Sequence, residues 1–246
     1  MSIVLEQNTW RMSSTYFVFI VTSRDSPIYE QFDSMRRLQM NSLGIPHKFL
    51  INGSLPSGYA LQSDEEYFED ASFNPGMFMK FYSACKEFAS KYILPDFIVR
   101  INSSTFIDFE KFQRKFLNNL PKTGFVGGPI VEENTVPRPF ISGTIMMFSK
   151  DIIYKLVNNV DINHPYIREY NDDVALSYII SEMICNQFCQ FINQLIVYNQ
   201  ITYENYRIEL PEHAFIIRIK NDVDREKNDI FVWKELIKLS GITLKT

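Results

Sequence analysis

Residues 97–108 read FIVRINSSTFID, and how they are read decides the fold. Apart from Arg100 the run is apolar up to Ile101; it then turns polar through Asn102, Ser103, Ser104 and Thr105 before Phe106. An apolar strand that ends in small polar groups is how a central strand of an α/β sheet delivers its carboxyl end into a crevice, where ligands of open sheets bind. The expectation is a buried strand, a ligand-facing turn after it, and alternating strands and helices before it.

Upstream, residues 16–21 (YFVFIV) form a continuous apolar strand ended by Thr22, Ser23, Arg24 and Asp25. Pro27 can open a helix, since its missing N–H is one that a first turn leaves unbonded. Ile28, Phe32, Met35 and Leu38 recur at helical spacing up to Leu43, and Gly44 closes the helix. Residues 47–51 are a second strand, so the chain opens as a βαβ unit with a parallel pair. Residues 53–70 read as a long polar loop. Over 75–92 a helix is predicted, with Met77, Phe81, Ala84, Cys85 and Phe88 at helical spacing and Lys80 among them.

Downstream, residues 109–120 predict a short amphipathic helix stopped by Pro121. Two strands follow: 125–131 (FVGGPIV), whose Gly127 and Gly128 permit close backbone approach, and 139–149, which carries Ser142-Gly143-Thr144. Helices are predicted over 150–158, from Asp172 or Asp173 to about Gln190, and over 229–239; strands are predicted over 195–202 and 215–220. The fold class expected is α/β, one domain over 15–246 after a polar lead-in at 1–14. Its central sheet is mixed, mostly parallel and flanked by helices.

Of the 246 residues 46% are hydrophobic and 22% charged, a balance that excludes a disordered chain. The net charge of -4 gives no overall electrostatic footprint for nucleic acid, so a phosphorylated ligand would need local basic residues. Cys185 and Cys189 fall on one face of the helix predicted there. With no His or further Cys beside them they read as small buried hydrophobes rather than a metal site. Residues 1–11 lack a signal-peptide pattern, and the apolar runs are far shorter than the ~20 residues of a membrane span, so a reduced, soluble, cytoplasmic protein is expected.

Neither G-x-G-x-x-G nor G-x-x-x-x-G-K-[ST] occurs, which removes the dinucleotide and P-loop fingerprints. A G-x-S-x-G elbow is absent, and the three His residues are isolated. What remains is an ordered set: the Thr22-Ser23 strand end, the polar end at Asn102, PFISGTIMMFSKD at 139–151, and DDVALSYII at 172–180. That order resembles the glycosyltransferase-A (GT-A) fold, in particular the β-1,3-galactosyltransferase and Fringe-like families and the small glycosyltransferases of large DNA viruses of the chlorella-virus type. The resemblance spans roughly residues 16–237. It implies a viral protein of the host cytoplasm, a single domain that transfers a hexose or deoxyhexose with inversion from a UDP-sugar to a hydroxyl of a glycan or glycoprotein, with a donor half at 15–108 and an acceptor half at 109–246.

By that resemblance Asp173 is the catalytic base and Asp172 its second, although an Asp at a helix start is also a preferred cap. Thr22, Ser23, Arg24, Lys80 and Arg100 fall on the donor side, with Asn102, Ser103 and Ser104 where the family carries its metal-binding D-x-D. Ser142 and Gly143 would line the sugar or acceptor. The departure at 102–104 removes the carboxylates that hold Mn²⁺ or Mg²⁺. Three readings stay open: a metal-independent transferase, a metal site built elsewhere (with His213 as a candidate ligand), or a non-catalytic nucleotide-sugar or glycan-binding module. In the first, Arg218 and Lys220, two apart on a strand, and Arg225 beyond them would hold the diphosphate.

Overall fold

The computed structural model describes residues 15–69, 75–183, 189–190, 195–198, 214–221 and 223–241. Along the chain run β1 (Tyr16–Val21), α1 (Pro27–Leu43), β2 (His47–Ile51), β3 (Glu65–Tyr67), α2 (Gly76–Lys91), β4 (Phe97–Asn102), β5 (Thr105–Ile107) and α3 (Phe109–Lys111). Then come β6 (Val126–Gly128), β7 (Ile130–Val131), β8 (Phe140–Ile141), β9 (Ile145–Ser149), α4 (Lys150–Asn159), α5 (Pro165–Glu169) and α6 (Asp172–Met183). The last elements are β10 (Cys189–Gln190), β11 (Leu195–Tyr198), β12 (Ile216–Ile219) and α7 (Arg225–Leu239).

The main sheet has the order β10-β6-β9-β4-β1-β2-β3. β1 pairs in parallel with both β2 and β4, and Val21 lies opposite Asn102. β9 runs antiparallel between β4 and β6, which makes the sheet mixed but mostly parallel. The apolar runs of β1 and β4 are continuous because both faces of these strands are covered. On one face Phe17, Phe19 and Ile98 pack with Phe81 of α2 and Leu176 of α6; on the other, Tyr16, Val18, Phe97 and Val99 pack with Met40 of α1 and Phe112.

The departures from the predicted elements have local causes. β3 adds an edge strand inside the stretch predicted as loop, pairing in parallel with β2. The strand predicted over 125–131 breaks at Pro129, which has no N–H for the ladder; β6 stays in the main sheet and β7 pairs with β8 in a separate ribbon. A Cβ on Gly128 would lie 2.3 Å from Ile141 Cγ2 and 2.4 Å from the Ile145 carbonyl, so the close approach is real. The strand predicted over 139–149 is likewise divided, at Ser142–Thr144, into β8 and β9. Residues 109–119 form one α-turn, a π-turn and a 3₁₀-turn instead of a regular helix, an irregularity that accompanies burial of Phe109, Phe112 and Leu117. α6 is described as far as Met183 and Cys189 lies on β10, so the two cysteines do not share a helical face as predicted; Cys185 is outside the described residues.

Candidate active site

Because β1, β2 and β4 run parallel, their carboxyl ends meet at one edge, at Thr22, Asn52 and Asn102. The turn after β4 is held from outside. Arg36 of α1 donates to the carbonyls of Ser103 (2.8 Å) and Thr105, and the Ile219 N–H donates to the Ser104 carbonyl (2.8 Å). The Arg36 guanidinium is fully buried 4.8 Å from the Trp233 ring of α7. Burial lowers its pKa to about 9, so it remains protonated at neutral pH. Within the turn Asn102 Oδ1 accepts from the hydroxyls of Thr105 (2.7 Å) and Ser104 (3.3 Å), and Ser103 Oγ donates to the Val21 carbonyl (3.3 Å).

The end of β1 is equally committed. Thr22 Oγ1 donates to Asp33 (2.7 Å), and Ser23 Oγ to Asp25 (2.6 Å). Arg24 does not reach out from an exposed turn: its side chain is 3% exposed and pairs with Asp33 (2.7 Å) and Glu65 (3.2 Å). Lys80 is no solvated helix lysine either. It is buried, and its Nζ donates to the Thr22 carbonyl (2.9 Å) and to Asn52 Oδ1, tying the ends of β1 and β2 together. Burial pulls its pKa down to about 7, with the charge of Asp172 acting against that shift and that of Arg100 adding to it.

On the next strand over, Arg100 shares a face of β4 with Asn102. Its buried guanidinium pairs with Asp172 at the start of α6 and donates to the Gly143 carbonyl (3.0 Å). Asp173 turns the other way. Its Oδ2 accepts the Gly143 N–H (2.8 Å) and its Oδ1 the Val174 N–H (3.0 Å). Burial first, and the adjacent Asp172 charge second, raise the Asp173 pKa above the ordinary carboxylate value, while Arg100 and the two N–H groups act against the shift. The backbone of Gly143 can sit here only without a side chain: a Cβ would lie 2.7 Å from Arg100 Nη1 and 3.1 Å from Asp173 Oδ2. Ser177 of α6 bonds both the Asp173 carbonyl (2.7 Å) and the Ile141 N–H (2.9 Å), which fixes the acidic pair against β8.

Asp173 opens onto a cleft of about 430 Å³ that is also lined by Ser142, Tyr170, Glu133, Glu169 and Arg218. The two carboxylates predicted from DDVALSYII are therefore brought to Gly143, one buried against Arg100 and one facing the cleft. The three predicted C-terminal cations are not brought together. Arg218 lines the cleft and approaches Thr144 Oγ1 (3.4 Å), Lys220 is exposed past the end of β12, and Arg225 pairs with Asp229 (3.0 Å) beside the Tyr29 ring. His213 lies outside the described residues. Arg36, Glu133, Glu169 and Tyr170 were not singled out from sequence; the one local signal is that Glu169 and Tyr170 stand just before the Asp172-Asp173 pair.

A divalent cation of the D-x-D type needs anionic oxygen ligands. Asn102, Ser103 and Ser104 supply none, their oxygens are engaged as above, and Asp172 is taken by Arg100. Among the described residues no three His, Cys, Asp or Glu side chains gather as a metal site. The residues present at this strand end do not fit such an ion.

No sequence profile of a known protein family matches the chain, and no curated protein matches it. Solved structures do. One is a glycosyltransferase involved in the glycosylation of the major capsid of PBCV-1, at 11% identity and a TM-score of 0.50, covering 88% of this chain and 98% of that one. Another is the galactosyltransferase LgtC, solved with donor and acceptor sugar analogs, at 12% identity and a TM-score of 0.53, covering 94% and 96%. The fold is GT-A-like. In this GT-A-like domain the Asn102 turn occupies the carboxyl edge of the parallel strands, and the Asp173 cleft is walled by residues of β7, β8, α6 and β12. No helix among the described residues is long and apolar enough to cross a membrane.

Proposed function

We propose that the chain transfers a sugar from a nucleotide-sugar donor, a UDP-sugar, to a hydroxyl group of a glycan. The observation that carries this reading is Asp173: a carboxylate of raised proton affinity, aimed by the Gly143 N–H, at the wall of a cleft in a GT-A-like fold. In an inverting transfer the acceptor hydroxyl gives its proton to Asp173 as its oxygen bonds the anomeric carbon. The bond from that carbon to the phosphate oxygen breaks on the opposite face, and its electron pair leaves with the diphosphate. A base of raised pKa is better matched to this task near neutral pH than an ordinary carboxylate. The donor would lie along the edge formed by Thr22, Ser23, Asn102, Ser103 and Ser104, with Lys80 and Arg100 beneath it, and Ser142 and Gly143 toward the acceptor.

The test is a panel of UDP- and GDP-sugars, with release of the nucleoside diphosphate as the readout. Turnover of a UDP-sugar is the expected result. Binding of a UDP-sugar with no turnover, in the presence of any glycan acceptor tried, would replace the transferase by a binding module; no binding of any sugar nucleotide would overturn the reading.

A further inference from the structure

The leaving diphosphate carries charge that something must meet, and the residues at the strand end do not fit a divalent cation. The fold puts guanidinium groups there instead. Arg100 Nη1 donates to the Gly143 carbonyl (3.0 Å), and Arg218 Nη1 approaches Thr144 Oγ1 (3.4 Å), so two arginines from different sheets meet the same turn, Ser142–Thr144. They differ in commitment. Arg100 is buried and paired with Asp172. Arg218 is half-exposed and lines the cleft beside Asp173 and Ser142, and among the described residues no carboxylate pairs with it.

Its position follows from strand register. β12 lies antiparallel to β5 with Arg218 opposite Thr105, and the Thr105 hydroxyl stands 2.7 Å from both Asn102 Oδ1 and the Thr144 carbonyl. One chain of contacts thus joins the end of the central strand, the glycine turn and this guanidinium. We propose that Arg218 binds the diphosphate of the sugar nucleotide directly, in the place that a metal ion would fill, and that transfer proceeds without a divalent cation. As the anomeric carbon–oxygen bond breaks, the electron pair settles on the terminal phosphate oxygens, and the fork of Arg218 can bond two of them. Arg100, held by Asp172, keeps the turn in place and does not touch the phosphate. This inference rests on the sugar-nucleotide reading above.

The experiment is calorimetric titration of the full chain in EDTA with UDP and, separately, with uridine, for wild type, Arg218→Met and Arg218→Lys. Circular dichroism checks that each variant folds. Wild type is expected to bind UDP in EDTA, with Mn²⁺ changing the affinity less than threefold. Arg218→Met is expected to weaken UDP at least tenfold and uridine by less than twofold, because only UDP carries phosphate, and Arg218→Lys to fall between. UDP binding that requires Mn²⁺, or an Arg218→Met variant that binds UDP as well as wild type, would overturn this inference and leave the sugar-nucleotide reading standing. Failure of wild type to bind UDP with and without Mn²⁺ would overturn both.

Discussion

The strand-end edge and the Asp173 cleft are built on opposite electrostatic plans. At the edge, charges are wired to one another: Arg24 to Asp33 and Glu65, Arg37 to Asp64 and Glu65, Lys80 to the ends of β1 and β2. Asp33, Lys80 and Arg36 are each about 1% exposed. In the cleft, Glu133, Glu169, Asp173 and Arg218 line one cavity, and no ion pair among the described residues joins any of them to another. Buried pairs hold geometry and are costly to break one-sidedly, whereas groups left open to a cleft keep their capacity for a substrate. The contrast separates a frame of buried ion pairs from an open cleft of charges unpaired among the described residues, within one domain.

The largest expected effect comes from breaking the frame. Asp33→Ala leaves Arg24 and Arg36 without their shared buried counter-charge and should cost about 3–5 kcal/mol of stability, read as a fall in the urea midpoint. A loss below 1 kcal/mol would mean that the edge is not held by its ion pairs. Next comes the reactive side. Asp173→Asn keeps an acceptor for the Gly143 N–H, so the fold should hold while transfer slows by about 100-fold or more, the usual share of a general base. Donor affinity should stay within a few-fold, and an unchanged rate would reduce the carboxylate to a helix-start residue.

The effect that is smallest per step of the measurement, about 1 kcal/mol for each pH unit, sharpens the comparison through pH. Lys80 has a pKa near 7 when folded and near its ordinary value of 10.5 when unfolded. Between those values the unfolded chain holds a proton that the folded chain has released, so stability from this group rises with pH across that window and is flat below it. Relative to Lys80→Met, the wild type should gain on the order of 1 kcal/mol per pH unit from about pH 7 to 10. Parallel stability curves for the two proteins would show that Lys80 stays charged throughout.

Much of the frame is legible in the residue order because burial on both faces of a parallel sheet demands uninterrupted apolar runs. YFVFIV and FIVRIN became β1 and β4 with their predicted ends, and Pro27 and Gly44 bounded α1 as predicted. The acidic pair was legible too, since α6 does begin at Asp172. The partners of the charged residues were not. Arg24 read as a donor-side residue with no ion partner, because Asp33 and Glu65 are 9 and 41 positions away and only the tertiary fold, which places α1 and β3 beside the end of β1, brings them to it.

The sequence by itself determined the layering: where apolar runs and helical periodicity fall is a local property, and it dictates strands, helices and the polar edge between them. Only the tertiary structure decided which charges are spent and which are kept. Arg100, Arg218 and Arg225 are alike as residues, yet one is buried against Asp172, one lines the cleft and one is tied to Asp229. The physical reason is that a charge's role depends on its desolvation and on the nearest opposite charge, and both are set by segments far apart in the chain.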